Sequence, residues 1–359
     1  MDCEIAIIGA GLIGLSLARE LRRRGFEVVV FDAGDAARQA SWAGAGMLAA
    51  RQTSDRQLRP LAMASARLYP TWAAELERET GMTIGYRPGG ALFLANHRHP
   101  APDPRLAGWE RLDPAQLAKL EPQLRLDGGG WEVWRIGADH SVDNRALAEA
   151  LLVSVRARGV QILEHTAVTS VSHAAQGLAV AVAEGKQWRA RVVVNAAGAW
   201  ASAIAAPVAV AVRPRKGQML RLRASVELHH VIEADNVYLV PRAHGRILVG
   251  STVEDCGFAP GVEPAVIGQL RQHAITLVPA LADAEVEESW FGFRPCSADE
   301  RPVFGPTACP GYWLATGHYR DGILLAPITA KILASAIVKG QLTRALDLTP
   351  FLPQRFLAA

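Results

Sequence analysis

Gly9-Ala10-Gly11-Leu12-Ile13-Gly14 spells GxGxxG where one hydrophobic periodicity gives way to another. Before it, Glu4 to Ile8 is a short apolar run suited to a buried parallel strand. After it, Leu12 to Arg24 carries Ile13, Leu17 and Leu21 at helix spacing, and an arginine-rich last turn meets Gly25. Val28 to Phe31 reads as a second strand, with Asp32 at its end, 18 residues beyond Gly14. The glycine pattern alone is weak, but between a strand and a helix and followed by an acid it specifies a dinucleotide-binding β-α-β unit. Gly9 permits the tight turn, Gly11 puts no Cβ between the backbone and a pyrophosphate, and Gly14 lets helix and strand pack closely. The helix N-terminus adds N–H groups and a partial positive charge. Asp32 would accept hydrogen bonds from adenosine ribose hydroxyls and repel a 2′-phosphate, which argues against NADP. The motif does not separate NAD from FAD.

The remaining elements predict two interleaved domains. A helix is expected from about Asp55 to Thr80, opened by a capping box of Ser54 and Gln57 and closed at Gly81. Residues 82–140 are rich in Gly, Pro and Trp, with one clear strand at Ala91 to Ala95 and a short helix opened by Asp113 and Pro114. The α/β pattern returns with a helix from Asn144 to Arg158, a strand from Val160 to Leu163, and a hairpin pairing Leu178 to Ala183 with Trp188 to Val194. Residues 208–293 alternate and turn often, with Val237 to Val240 and Ile247 to Gly250 flanking a turn, as in an antiparallel sheet. A strand near Tyr312 to Ala315 and a helix from about Gly322 to Val338 complete the pattern. The expected fold class is α/β: a parallel-sheet, Rossmann-like domain built from 1–81, 141–207 and 297–359, interleaved with an antiparallel-sheet domain built from 82–140 and 208–296.

Composition narrows the function classes. Half of the 359 residues are hydrophobic, which predicts a packed core and excludes a disordered chain. The net charge of +3, with basic residues scattered along the chain, gives no case for nucleic acid. Of the 38 basic residues five are lysines, so no arginine marks a site by its presence alone. Cys3, Cys256, Cys296 and Cys309 form no CxxC pair and no metal-type cluster, which predicts a reduced, cytoplasmic protein with no metal. The apolar stretch Ile5 to Ala18 follows Asp2 and Glu4, unlike a signal peptide, and is too short to span a bilayer. No stable membrane association is expected.

Four segments resemble the FAD-dependent D-amino-acid oxidase superfamily, and within it the glycine oxidases. They are the IIGAGLIGLSLA run with its Phe31-Asp32, the small-residue segment Ser41 to Leu48, the run Val193 to Ala201 (VVNAAGAWA), and Gly317-His318-Tyr319-Arg320-Asp321-Gly322 with the apolar residues after it. Leu120-Glu121-Pro122 and Gly292-Phe293-Arg294-Pro295 are lesser matches. Together they cover about residues 3–340. The resemblance implies non-covalent FAD, since Cys296 does not align with the cysteine through which some sarcosine oxidases attach flavin. It implies cofactor contacts at Gly9, Gly11, Leu12, Ile13, Gly14, Asp32, Ala33, Ala40, Ser41, Ala45, Gly46, Met47, Val168, Ala197, Gly198 and Trp200, and along His318, Tyr319, Arg320, Asp321, Gly322, Ile323 and Leu324. The last run opens a helix whose N–H groups would stabilise an anionic reduced flavin.

An amino-acid oxidase must also hold a carboxylate, for which the planar arginine fork is the natural partner. Position in the matching motifs implies that Arg294 is the main clamp, with Arg320 near the substrate and Tyr238 donating a further hydrogen bond. His318 is expected to act through its backbone, and Asp299 and Glu300 are read as a solvated turn. The implied reaction passes a Cα hydride to flavin N5 and yields a 2-oxo acid, ammonia and, with dioxygen, hydrogen peroxide. Glycine, sarcosine or a short D-amino acid would be the substrate, and thiamine thiazole formation the context. Competing expectations are a D-amino-acid dehydrogenase feeding a quinone, an oxidase of another N-substituted glycine, and a non-catalytic flavin-binding regulator. A homotetramer is what the resemblance implies for assembly.

Overall fold

A computed structural model describes residues 2–50, 55–96, 100–101, 108–126 and 130–356. Its core is a sheet whose parallel strands run Tyr312–Thr316, Gln187–Asn195, Asp2–Ile8, Val28–Phe31 and Gln161–Leu163. Val303–Pro306 closes one edge antiparallel, and Leu178–Val182 with Val168–His173 hang from Gln187–Asn195 as an antiparallel extension. Ile5, Ile7 and Val30 are fully buried, as the apolar runs dictate for strands covered on both faces.

Four helices cover one face: Leu12–Arg23, Leu58–Thr80, Asn144–Ala157 and the last helix, Gly322–Lys339. The last is long and apolar enough to cross a membrane, but most of it is buried, packed against Leu12–Arg23 and Leu58–Thr80. Glu79 ties this layer together. Its carboxylate takes hydrogen bonds from Arg19 (2.6 Å), Ser154 (2.6 Å) and Arg158 (2.6 Å), and Arg19 is only 1% exposed.

The second sheet runs in the order Glu285–Ser297, Val212–Arg223, Arg246–Gly250, Val237–Pro241, Val231–Ala234, Ala91–Ala95, Glu132–Ile136, Trp109–Leu112. All neighbours are antiparallel except Val231–Ala234 against Ala91–Ala95. Pro264–Leu277 packs its Leu270, Ala274 and Leu277 on the sheet's outer face.

Two local expectations change. Glu132–Ile136 and Trp109–Leu112 are strands in a stretch where the sequence showed only Ala91–Ala95; Trp109–Leu112 is the sheet's edge and Glu132–Ile136 lies just inside it, and with partly exposed faces they lack a continuous apolar run. The long helix opens at Leu58. Ser54 lies outside the described residues, and the carboxylate of Asp55 accepts the N–H groups of Gln57 and Leu58, so an aspartate caps this end.

Candidate active site

The two sheets meet over a cavity of about 1060 Å³, at the upper end of the usual range for ligand sites. Its floor is the glycine turn. Gly9 has φ +106°, a conformation that disfavours any side chain, and a Cβ there would run into the Ala196 carbonyl. A Cβ on Gly14 would strike the Gly9 carbonyl, which is why the helix can lie so close to the strand. The Asp32 carboxylate accepts the N–H groups of Ala10 (2.7 Å) and Gly34 (3.0 Å). Burial lifts its pKa while those two amides oppose the shift. One detail departs from the expectation of wholly free amides: the Leu12 N–H donates to Ser41 Oγ at 2.9 Å, so this serine caps the helix from the segment above.

That segment, Ala40 to Met47, is pinned from four sides by residues the sequence did not single out. Asn144 Nδ2 donates to the carbonyls of Ser41 and Trp42, both at 2.9 Å. The Arg145 guanidinium stacks on the Trp42 ring, 3.4 Å from its centroid, and forks onto Glu288. Trp290 Nε1 donates to Ala43 O (3.0 Å), and Arg242 Nη2 to Ala45 O (2.6 Å). Burial draws Arg242 down to about 10, so it remains cationic at neutral pH. Such contacts join chain positions a hundred residues or more apart, and no local pattern marks them.

The turn Gly317 to Gly322 forms another wall. His318 is buried, stacks on Phe304 and shares a hydrogen bond with Thr329 Oγ1 through Nε2 (3.2 Å). Burial drives its pKa down to about 3, which leaves a neutral ring with no part as a base near pH 7. Tyr319 sits at φ +47°, so the chain turns sharply and presents Gly322 and Ile323, the first residues of the last helix, to the cavity. Asp321 occupies the N-cap position of that helix without a side-chain cap bond, and burial lifts its carboxyl to about 6 against the pull of Arg320.

The second sheet supplies the roof. Arg294 projects over Gly217, where a Cβ would come within 2.7 Å of its Cζ. Its guanidinium donates to Ser251 Oγ (2.6 Å) and Thr252 O (3.1 Å), leaving donors of its five-N–H fork for a ligand. Tyr238 leans over Gly250, where a Cβ would meet its Cζ at 2.6 Å, and its hydroxyl reaches Met219 Sδ at 3.5 Å. The two glycines are empty positions on the sheet face that make room for the arginine and the tyrosine. Trp200, Phe258 and Phe293 cluster at one side, the first two stacked with centroids 5.0 Å apart.

Of the residues singled out from the sequence, all but two line the cavity. Gly14 lies beneath it, against Gly9. Leu324 is core, 2% exposed, with its carbonyl taking the Ser65 hydroxyl at 2.5 Å. Arg320 is at the open rim with its guanidinium over the Tyr319 ring. Cys296 is buried and outside the lining. Asp299 and Glu300 lie in an exposed turn, as the sequence suggested; Asp299 also takes Arg355 at 2.9 Å and the Ser297 hydroxyl at 3.0 Å, clamping the C-terminal segment. Glu121 likewise proves structural, buried and accepting both the His229 and His230 amides.

A family model described as FAD dependent oxidoreductase matches residues 4–336. The chain belongs to this family. It is 41% identical over 94% of its length to the bifunctional protein ThiO/ThiG of Nostoc sp., and spans about half, 53%, of that relative. Glycine oxidase of Geobacillus kaustophilus is 33% identical, with 97% of this chain and 96% of that one aligned, and its crystal structure superposes with a TM-score of 0.91 over 98% of each chain. Iminodiacetate oxidase from Chelativorans sp. BNC1 is 28% identical with a TM-score of 0.86, covering 98% of this chain and 99% of that one. The family's cofactor fits the cavity: its lining runs from the glycine turn and Asp32 to the N-terminus of the last helix, and Gly9 and Gly11 put no side chain of their own into it.

Proposed function

We propose that the chain oxidises glycine, or a similarly small amine such as sarcosine or a short D-amino acid, to a 2-oxo acid, ammonia or amine, and hydrogen peroxide. The observation that carries this reading is the Arg294 fork, held by Ser251 and Thr252 over the cavity that the glycine turn floors. FAD, when bound, would supply the hydride acceptor for the substrate's Cα–H and, with dioxygen, the route to peroxide. Gly9, Gly11, Leu12 and Ile13 would hold the diphosphate, Asp32 the ribose, and the backbone of Val168 the adenine. The amides of the turn from His318 to Ile323 would bind the ring, non-covalently.

The chain's own residues then do three things. Arg294 binds the carboxylate with charge-assisted hydrogen bonds worth roughly 1.5–3 kcal/mol each. Tyr238 fixes its second oxygen. The aromatic cluster around Trp200 walls one side of the substrate from water. The first sheet, residues 1–81, 141–207 and 297–359, is on this reading the cofactor half, and 82–140 with 208–296 the substrate half. We take the product to feed thiazole formation for thiamine. The test is aerobic turnover of purified, FAD-loaded protein with glycine, sarcosine and short D-amino acids. One peroxide per amine consumed is expected; dye reduction without peroxide would instead identify a dehydrogenase.

A further inference from the structure

The substrate of such an enzyme is a zwitterion, and the cavity so far described answers only its negative end. Seven acids among the described residues line the cavity, and three are held by strong hydrogen bonds. Asp32 is bonded to backbone amides, Asp55 to Arg301 at 2.6 Å, and Asp299 to Arg355 and Ser297. Asp321 stands at the N-cap position of the last helix, its side chain making no cap hydrogen bond. Asp235 and Glu300 are exposed to solvent. Asp321 and Glu233 remain, and Glu233 is the one on the sheet that carries Arg294 and Tyr238. It lies on Val231–Ala234, directly across from Tyr238 in the antiparallel register, on the face that carries Arg294's sheet over the cavity. Among the described residues it has no hydrogen bond and no salt bridge, yet it is half-buried. The neighbouring strand puts apolar Phe93 beside it.

We propose that Glu233 receives the ammonium group of the substrate and takes its proton. This rests on the amine-oxidase reading above. An ammonium nitrogen has no lone pair, so its Cα cannot give up a hydride until one N–H bond is broken. In this step that bond breaks, an O–H bond forms on the Glu233 carboxylate, and the electron pair stays on nitrogen. Arg294 at one end and Glu233 at the other make a dipolar site matched to a small amino acid, whereas a plain carboxylate uses only the first. Burial raises the Glu233 carboxyl to about 7, with Arg320 across the cavity opposing the shift, so the group can both accept and release a proton near neutral pH. The ionisable groups facing it are Arg320 and Tyr319 from the turn before the last helix, Tyr238 from the adjacent strand and Arg294 from Glu285–Ser297.

The experiment compares wild-type holoenzyme with Glu233→Gln and Glu233→Asp, using two probes: acetate affinity from the shift of the bound flavin's visible spectrum, and anaerobic flavin reduction by glycine across pH. For Glu233→Gln we expect acetate affinity within about threefold of wild type, and kcat/KM for glycine lower by about 10²-fold at pH 7, the lower end for a lost general base. That deficit shrinks as rising pH supplies glycine with a neutral amine, and Glu233→Asp recovers part of it. A deficit that is the same at every pH, an equal loss of acetate affinity, or unchanged reduction by glycine would overturn the assignment. If no small amine reduces the wild-type flavin, the proposed activity fails instead. Spectral binding of glycine against acetate then decides Glu233 alone: a preference for glycine that the Gln variant loses supports the ammonium site, and a preference it keeps, or none in wild type, refutes it.

Discussion

Gly217→Ala tests whether the empty position under Arg294 sets the geometry of the clamp. A methyl group there would stand 2.7 Å from the Arg294 Cζ and 2.5 Å from Nη2, where ordinary contact begins at 3.4 Å. The guanidinium must therefore shift by about 1 Å, and a misplacement of that size costs roughly 10²-fold in rate, or about 2.7 kcal/mol of transition-state binding. The fold has little to lose. Gly217 is not at a positive φ, and alanine in a strand is favoured over glycine by roughly 0.5–1 kcal/mol, which offsets the strained hydrogen bonds to Ser251 and Thr252. The assay is peroxide-coupled kinetics with glycine, alongside FAD content and thermal melts. We expect kcat/KM lower by about 10²-fold, full FAD occupancy and a melting temperature within a few degrees of wild type. The double variant with Arg294→Ala should be no worse than Arg294→Ala alone, because both changes remove one interaction. Activity within threefold of wild type would show that Arg294 does not hold the substrate; a protein that loses FAD or unfolds would show that the position serves the fold.

Gly250→Ala pushes on the Tyr238 ring in the same way and should lower kcat/KM by about tenfold or less, the scale of one neutral hydrogen bond, read in the same kinetic assay. Acid precipitation should release all the yellow colour to the supernatant, since Cys296 is buried away from the cavity; colour in the pellet would mean a covalent link. Glu79→Gln should destabilise the protein by about 3 kcal/mol in denaturant titrations at pH 7, because Arg19 loses its anion while 1% exposed. Burial works against ionisation of Glu79, but the hydrogen bonds from Arg158, Ser154 and Arg19 outweigh it and hold its pKa at about 2, below the ordinary 4.5. A depressed carboxyl stabilises above the unfolded value and loses that contribution as pH falls, so the gap between wild type and variant should be full above pH 5 and close towards pH 2.

What could be read from the chain was what neighbours in sequence decide. The strand-turn-helix of residues 2–31 is local chemistry: apolar period, glycines, acid. The turn from Gly317 into the last helix is equally local. Arg294 and Tyr238 were located by motif position, and the reason they can reach the cavity, the missing side chains at Gly217 and Gly250, belongs to partner strands, with the glycines 77 and 12 residues away. The contacts of Asn144, Arg145, Arg242 and Trp290 on the Ala40 to Met47 segment are tertiary and leave no periodic trace. Asp299 does lie in a surface turn, and what the sequence leaves out is its partner, Arg355, from the far end of the chain. Glu233 was passed over for a related reason. A lone acid in an alternating strand reads as a solvent-facing residue, and only the closing of the first sheet over it turns that face inward.

The measurement that bears most directly on the whole account is an anaerobic titration of the purified yellow protein with glycine and sarcosine, followed at the flavin absorption band. Stepwise bleaching to the reduced spectrum, reversed on admitting air with release of peroxide, is the predicted result. A flavin that stays oxidised at saturating concentrations of every small amine, in protein shown to be folded and fully loaded, would contradict it.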